Sequence, residues 1–291
     1  MKPARFDYAR PTSVSETCAL LSDDLNAQVL AGGQTLVPML AMRLSRPSIL
    51  VDITRIDALI GVSEASETVE IGAATRQAAA LASETVQRQV PLLAKALRHV
   101  GHPPTRCRGT VGGSVAHGDP SAEIPLAAAI LAAEIVFADE DGAEERLPAE
   151  EFFIGPMVTA APMGALLTKL VFPCRSDAPT GTGFHEVASR RSDYAFASAG
   201  AQVVLGPDGS CAEARLGIGS VGDAPVAVDI SGLSGTRLTE TDIRGAVAEA
   251  LVDLETVDDL HATASYRKRA AARLAERALT EARDEAMEQA A

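Results

Sequence analysis

Two glycine-rich stretches hold the residue types best placed to do chemistry in this chain. AGGQTLVPML, residues 31–40, sets two glycines, an amide and a hydroxyl directly before an apolar run. RGTVGGSVAHGDPSAEIP, residues 108–125, repeats the device with Gly112, Gly113 and Ser114. Glycine lets a backbone turn its N–H groups towards one concavity and approach a ligand closely. Gln34, Thr35, Thr110 and Ser114 would add neutral donors, and no charged residue lies between Gln28 and Met42. The chain contains no GK[ST], so phosphates would be held by amides and hydroxyls rather than by lysine. From composition alone the other reading is a pair of tight turns. Glu123 would accept from a ribose hydroxyl, as in dinucleotide folds, or simply favour a helix N-terminus. His102 and His117 flank the second stretch. Asp193 and Tyr194, in RRSDY, either stand by a ring system or form a charged strand edge.

Other chemistries are excluded by spacing. GIGSVG, residues 217–222, matches GxGxxG, yet DAPVAVDISGL after it holds Pro225 and reads as extended rather than helical. A strand end or bulge is the better reading. No GxSxG is present, which favours binding over covalent catalysis. Cys18, Cys107, Cys174 and Cys211 are scattered without a CxxC, so neither iron–sulfur nor zinc signatures occur, and reduced thiols are expected. The histidines show no paired ligand spacing, and no metal site is expected.

The elements that must position these residues fit a chain of 291 residues, long enough for two domains. A net charge of −13 leaves no basic surplus for nucleic acid. The N-terminus lacks an apolar signal core, and runs such as IPLAAAILAA are too short for a bilayer, so a cytoplasmic protein without membrane insertion is expected. Helices are predicted over 12–22, 36–44 (with Pro38 in the first turn), 75–84, 91–101 and 122–133. Strands are predicted at QVL, 48–53, 68–74, in a hairpin across AEIVFADEDGAEERL, and at ALLTKLVFP. Residues 174–183 read as a linker. Beyond it come three strands and two helices, about 241–254 and 261–290. The divisions are then residues 1–175, in lobes of about 1–55 and 56–175, and residues 180–291.

The order FDYARP, AGGQTLVPMLAMRLSRPSILVDI, RGTVGGSVAHGDPSAEIP, GFHEVASRRSDYA and SYRKRAAARLAERAL resembles the FAD-binding medium subunits of the molybdenum hydroxylases over nearly the whole chain. Carbon monoxide dehydrogenase and xanthine dehydrogenase belong to that group. The resemblance implies an α+β fold: a two-lobed FAD-binding domain of the vanillyl-alcohol oxidase type, then a smaller α+β domain. It implies noncovalent FAD, with Ala31, Gly32, Gly33, Gln34, Thr35 and Leu36 around the diphosphate and flavin. Thr110, Gly112, Gly113, Ser114, Ala116 and His117 would form the second wall. Glu123 would hold the adenosine ribose in place of the family's aspartate, and Leu167 would lie near the adenine. Val100, Gly101, Asp193 and Tyr194 would stand by the ring system. Two further departures are Glu186, where some relatives have lysine, and Ser114, where asparagine is frequent.

The resemblance also implies the partners: a small 2Fe–2S subunit and a large molybdopterin subunit, in a dimer of heterotrimers. This chain would carry electrons from the clusters to an external acceptor and hold no catalytic residue of its own. The alternative is a self-sufficient flavin oxidase of the vanillyl-alcohol oxidase type, with His102 or His117 linked to the flavin. A redox-inactive nucleotide-binding regulator is a third reading.

Overall fold

The computed structural model describes residues 2–291, organised on three main sheets. The first holds β1 (Asp7–Ala9), β2 (Gln28–Leu30) and β3 (Ile49–Asp52) in the order β1–β3–β2, all parallel. Parallel neighbours require crossovers, supplied by α1 (Val14–Asp23) and α2 (Leu36–Met42). Ser13 caps α1 by accepting from the Glu16 N–H. Pro38 occupies the first turn of α2, where its missing N–H costs no helical bond.

The second sheet is antiparallel, with β4 (Val62–Ala65), β5 (Thr68–Gly72), β6 (Glu134–Ala138), β7 (Glu144–Pro148) and β10 (Leu166–Pro173) in the order β4–β5–β10–β6–β7. Six helices lie between β5 and β6: α3 (Gln77–Ala82), α4 (Glu84–Gln89), α5 (Pro91–His99), α6 (Pro103–Arg108), α7 (Val111–His117) and α8 (Glu123–Ile130). A short α9 (Ala149–Phe152) and the hairpin of β8 (Phe153–Gly155) and β9 (Val158–Thr159) precede β10. The third sheet, also antiparallel, runs β11 (Thr180–Ala188), β12 (Ala195–Leu205), β13 (Cys211–Gly219) and β14 (Val226–Val228) in chain order. It is followed by α10 (Glu240–Ala250), which a Thr239–Asp242 capping box starts, and by the long α11 (Ala264–Ala290).

Each sheet has its own apolar cluster, and α8 links the second sheet to the third. Every residue of α8 after Glu123 is buried, as befits a helix that is apolar all round. Its Leu126 and Ile130 press on the third sheet where that sheet has glycine. A Cβ on Gly217 would stand 2.4 Å from Ile130 Cγ1, and one on Gly219 would stand 3.1 Å from Leu126 Cδ2. Gly217 and Gly219 of GIGSVG are therefore seats for α8, at the end of a strand as the sequence reading has it.

The α+β, two-lobed arrangement is the one expected, with differences in detail. Only residues 174–179 of the expected linker are irregular, because Thr180 already pairs with Val204 in β11. Helices α4, α6 and α7 are absent from the sequence reading, since each is only six or seven residues long and shows less than two turns of periodicity. Among the described residues no helix is long and apolar enough to cross a membrane.

Candidate functional site

A cavity of about 670 Å³ lies between the first and second sheets and is closed on one side by the turn before β12. That size falls within the range of small-molecule sites. The β2–α2 turn supplies Ala31, Gly32, Gly33, Gln34, Thr35 and Leu36. The end of α5 supplies Val100 and Gly101, and α7 with its cap supplies Thr110, Gly113, Ser114, Ala116 and His117. Glu123 enters from the first residue of α8, and Asp193 and Tyr194 from the β11–β12 turn. These sixteen of the eighteen residues expected at a cofactor thus meet around one space. Gly112 and Leu167 do not line it. Gly112 faces away, onto Ala73, whose Cβ would be 2.5 Å from an added Cβ, and Leu167 is buried within β10.

The two glycine stretches approach each other backbone to backbone. A Cβ on Gly32 would sit 2.6 Å from the Arg108 carbonyl oxygen and 2.7 Å from the Gly109 Cα. Gly33 has φ of +68°, which turns the chain into the α2 N-terminus. Among the described residues nothing accepts from the backbone N–H groups of Gly33, Gln34 or Thr35, and the Thr35 side chain makes no cap bond. This turn therefore offers a row of free dipoles to a ligand.

The second stretch works differently from the cradle that its sequence suggests. VGGS is the first turn of α7, and its N–H groups are already used: Val111 donates to Thr75 O, Gly112 to Ala73 O and Gly113 to Thr110 Oγ1. Its glycines serve close packing, and what it offers the cavity is the Ser114 side chain and a bare helix surface. The Thr110 carbonyl accepts from Gln77 Nε2 at 3.3 Å, and buried Gln77 Oε1 has no partner among the described residues.

Arg106 shapes the ring end. Its Nη1 donates to Val100 O at 2.8 Å and Gly101 O at 2.7 Å, fixing a turn in which Gly101 has φ of +45°. Asp193 accepts from the Tyr194 N–H and faces Arg190 at 2.8 Å, and these partners, the Tyr194 N–H foremost, hold its carboxyl below the usual range. Behind the wall, Glu186 Oε1 pairs with His99 Nδ1 at 3.1 Å.

Glu123 is perturbed in the opposite sense. It keeps some surface open to the cavity, but protein surrounds its carboxyl, and that desolvation, reinforced by Glu186 and Asp119, pushes its pKa up to about 8. An acid raised in the folded state stabilises fully below its unfolded value of 4.5, and that contribution is lost as pH rises towards about 8. Glu123→Gln should therefore stabilise the cofactor-free protein by about 2–4 kcal/mol at pH 8.5, discounted for water in the cavity, and by little at pH 5. Denaturant melts at both pH values would check this, and an equal effect at both would disprove it.

Several lining residues carried no sequence signal. Gln77 begins a short helix, Asp119 makes an Asx turn to the Ser121 N–H, and Met157 and Ser192 have left-handed backbones at φ of +57° and +63°. Left-handed non-glycine residues gather at ligand sites, but only coordinates reveal them.

Among the described residues no lysine or arginine lines the cavity. Free N–H dipoles, hydroxyls, close-approach glycines and apolar walls from Leu36, Met39, Val100 and Met157 suit a dinucleotide with a flat ring system. Fold and site together define a two-lobed dinucleotide-binding protein with an appended α+β domain. Residues 4–175 match the family described as FAD binding domain in molybdopterin dehydrogenase, and residues 182–282 match the CO dehydrogenase flavoprotein C-terminal domain. The chain belongs to this family of FAD-binding medium subunits of molybdenum-hydroxylase-type dehydrogenases. It is 35% identical to the 6-hydroxypseudooxynicotine dehydrogenase complex subunit alpha of Paenarthrobacter nicotinovorans, over 97% of this chain and 96% of the relative. The quinoline 2-oxidoreductase structure from Pseudomonas putida 86 aligns with a TM-score of 0.93 at 33% identity, covering 99% of this chain and 100% of that one. A carbon monoxide dehydrogenase structure from Hydrogenophaga pseudoflava aligns with a TM-score of 0.93 at 31% identity, over 98% and 99%. FAD is the cofactor of this subunit class, and the other cofactors sit on partner subunits.

Proposed function

We propose that this chain is the electron-transfer subunit of a three-subunit complex. It would receive electrons from the 2Fe–2S clusters of a small subunit, while a large molybdopterin subunit oxidises the substrate. FAD, when bound, supplies the ability to take electrons singly and pass on one or two. The chain's share is to hold and orient that cofactor. The free N–H groups of Gly33, Gln34 and Thr35 would take the diphosphate. The Val100–Gly101 turn would stand against the ring system, with Tyr194 opposite. The observation that carries the reading is the meeting of these groups in one cavity that, among the described residues, no lysine or arginine lines.

The same reading includes noncovalent binding, residence in the cytoplasm and a dimer of heterotrimers. It divides the chain into residues 1–175, in lobes of about 1–55 and 56–175, and residues 180–291. Relatives named for nicotine, carbon monoxide, caffeine and glyceraldehyde differ widely in substrate. That spread supports placing substrate selectivity on the molybdopterin subunit.

The purified chain should be yellow, bleach with dithionite and release its flavin into the supernatant on acid precipitation. It should oxidise no candidate substrate until partner subunits are added. Visible spectra before and after precipitation give the result. A colourless chain that FAD cannot reconstitute would sink the proposal, and flavin retained in the pellet would sink its noncovalent part.

A further inference from the structure

The cavity has an unusual charge balance for a site that takes a diphosphate. Its lining includes three carboxyl groups, Asp119, Glu123 and Asp193, with His117 as the only basic side chain among the described residues. Asp193 has its own partners in Arg190 and the Tyr194 N–H. Asp119 accepts from the Ser121 N–H at 2.8 Å. Among the described residues Glu123 makes no side-chain hydrogen bond to another residue, and it feels charge from several neighbouring segments. Asp119 precedes it, and Glu186 on β11 adds a second repulsion. Tyr194, from the β11–β12 turn, lies within reach of its charge. The one cation close enough to oppose this is Arg106 on α6, which is committed to two carbonyls.

Glu186 sharpens the imbalance. Its side chain is 10% exposed, one oxygen pairs with His99, and the other, Oε2, is buried without a partner among the described residues. It stands behind the wall that Val100 and Gly101 build, so its charge cannot move away to solvent. A dianionic diphosphate brought into such a space meets repulsion that neutral dipoles only partly offset.

We propose that the cavity accepts its anionic dinucleotide with a proton kept on Glu123, so that cofactor binding and proton binding are linked. Glu123 then presents a hydroxyl donor to the cofactor, and the cavity carries one negative charge fewer. The burial that pushes Glu123 up to about 8 means the proton is already in place at neutral pH. Binding of the anion holds it there at higher pH. This inference rests on the FAD reading above.

The test is fluorescence titration of the flavin-stripped chain with FAD from pH 6.5 to 9.5, with calorimetry at pH 8.5 in two buffers of different ionisation enthalpy. For the wild type, Kd should be flat up to about pH 8 and then rise up to about tenfold per pH unit, with about three-quarters of a proton taken up at pH 8.5. In Glu123→Gln the slope should vanish, whatever the affinity at neutral pH. In Glu186→Gln, which lies off the lining, the rise should begin at lower pH, because a charge that holds the proton on Glu123 is gone. FAD binding that is flat with pH in the wild type would overturn the proposal, and so would a slope that survives in Glu123→Gln. Absence of FAD binding at every pH would instead overturn the cofactor reading.

Discussion

Replacing Gly32 by alanine should weaken FAD binding about ten- to a hundredfold while leaving a folded protein. The added methyl would stand 2.6 Å from the Arg108 carbonyl oxygen and 2.7 Å from the Gly109 Cα, closer than any real Cβ contact. Neither neighbour is a side-chain tip that could swing aside, so the turn before α2 and the chain leading into α7 must separate. That separation moves the Gly33, Gln34 and Thr35 N–H groups off the concavity they share. Gly232→Ala is the control, since nothing lies within 4 Å of its added Cβ. Equilibrium titration with FAD gives the answer. Wild-type affinity in Gly32→Ala would show that the close approach of the two stretches does not matter to the cofactor.

Gly183→Ala should cost the protein about 3 kcal/mol or more of stability. Helix α11 lies so close on β11 that an added Cβ at Gly183 would be 2.2 Å from Ala278 O, and at Gly181 2.0 Å from Ala282 O. The helix side of this contact is also trimmed, with Ala271, Ala275, Ala278, Ala282 and Ala286 all buried. Both faces being minimal, the methyl can be admitted only by lifting a 27-residue helix from the sheet. Gly245→Ala, in open space within α10, should instead gain about 0.5–1 kcal/mol from helix propensity. Urea unfolding of the three proteins tests both statements, and a Gly183→Ala protein as stable as wild type would disprove the first.

How much of this was legible in the sequence varies with the length of the signal. Long segments, such as α11 and the strands β10 to β13, could be read because an apolar run or helical spacing persists over eight residues or more, save for the start of β11, which read as linker. The short helices α6 and α7 could not, and this had a functional cost. VGGS reads as a loop with free N–H groups, whereas Thr110 caps a helix there and the N–H groups are spent. The alanine spacing of α11 hints at tight packing, but that Gly181 and Gly183 are its partners needs the register of β11. The GIGSVG stretch was separable from a nucleotide fingerprint by the missing helix alone. Its real purpose, seating Ile130 and Leu126, depends on a contact between residues far apart in sequence. Glu123 was visible as a candidate, but the upward push on its pKa was not, since that depends first on the burial of its carboxyl and then on Glu186 arriving from the third sheet.

The close pass of Gly32 and Gly109 has a consequence for synthesis on the ribosome. The cavity draws its walls from residues near 32, near 101, near 114 and near 194, so no contiguous early segment contains it. A growing chain can pair β1, β2 and β3 while most of the site is still unmade. It cannot present the complete cavity before Tyr194 has left the exit tunnel. Cofactor capture in the complete cavity would consequently be a late event in the protein's biogenesis. Free FAD would then act on the finished fold by mass action, stabilising the folded chain that binds it.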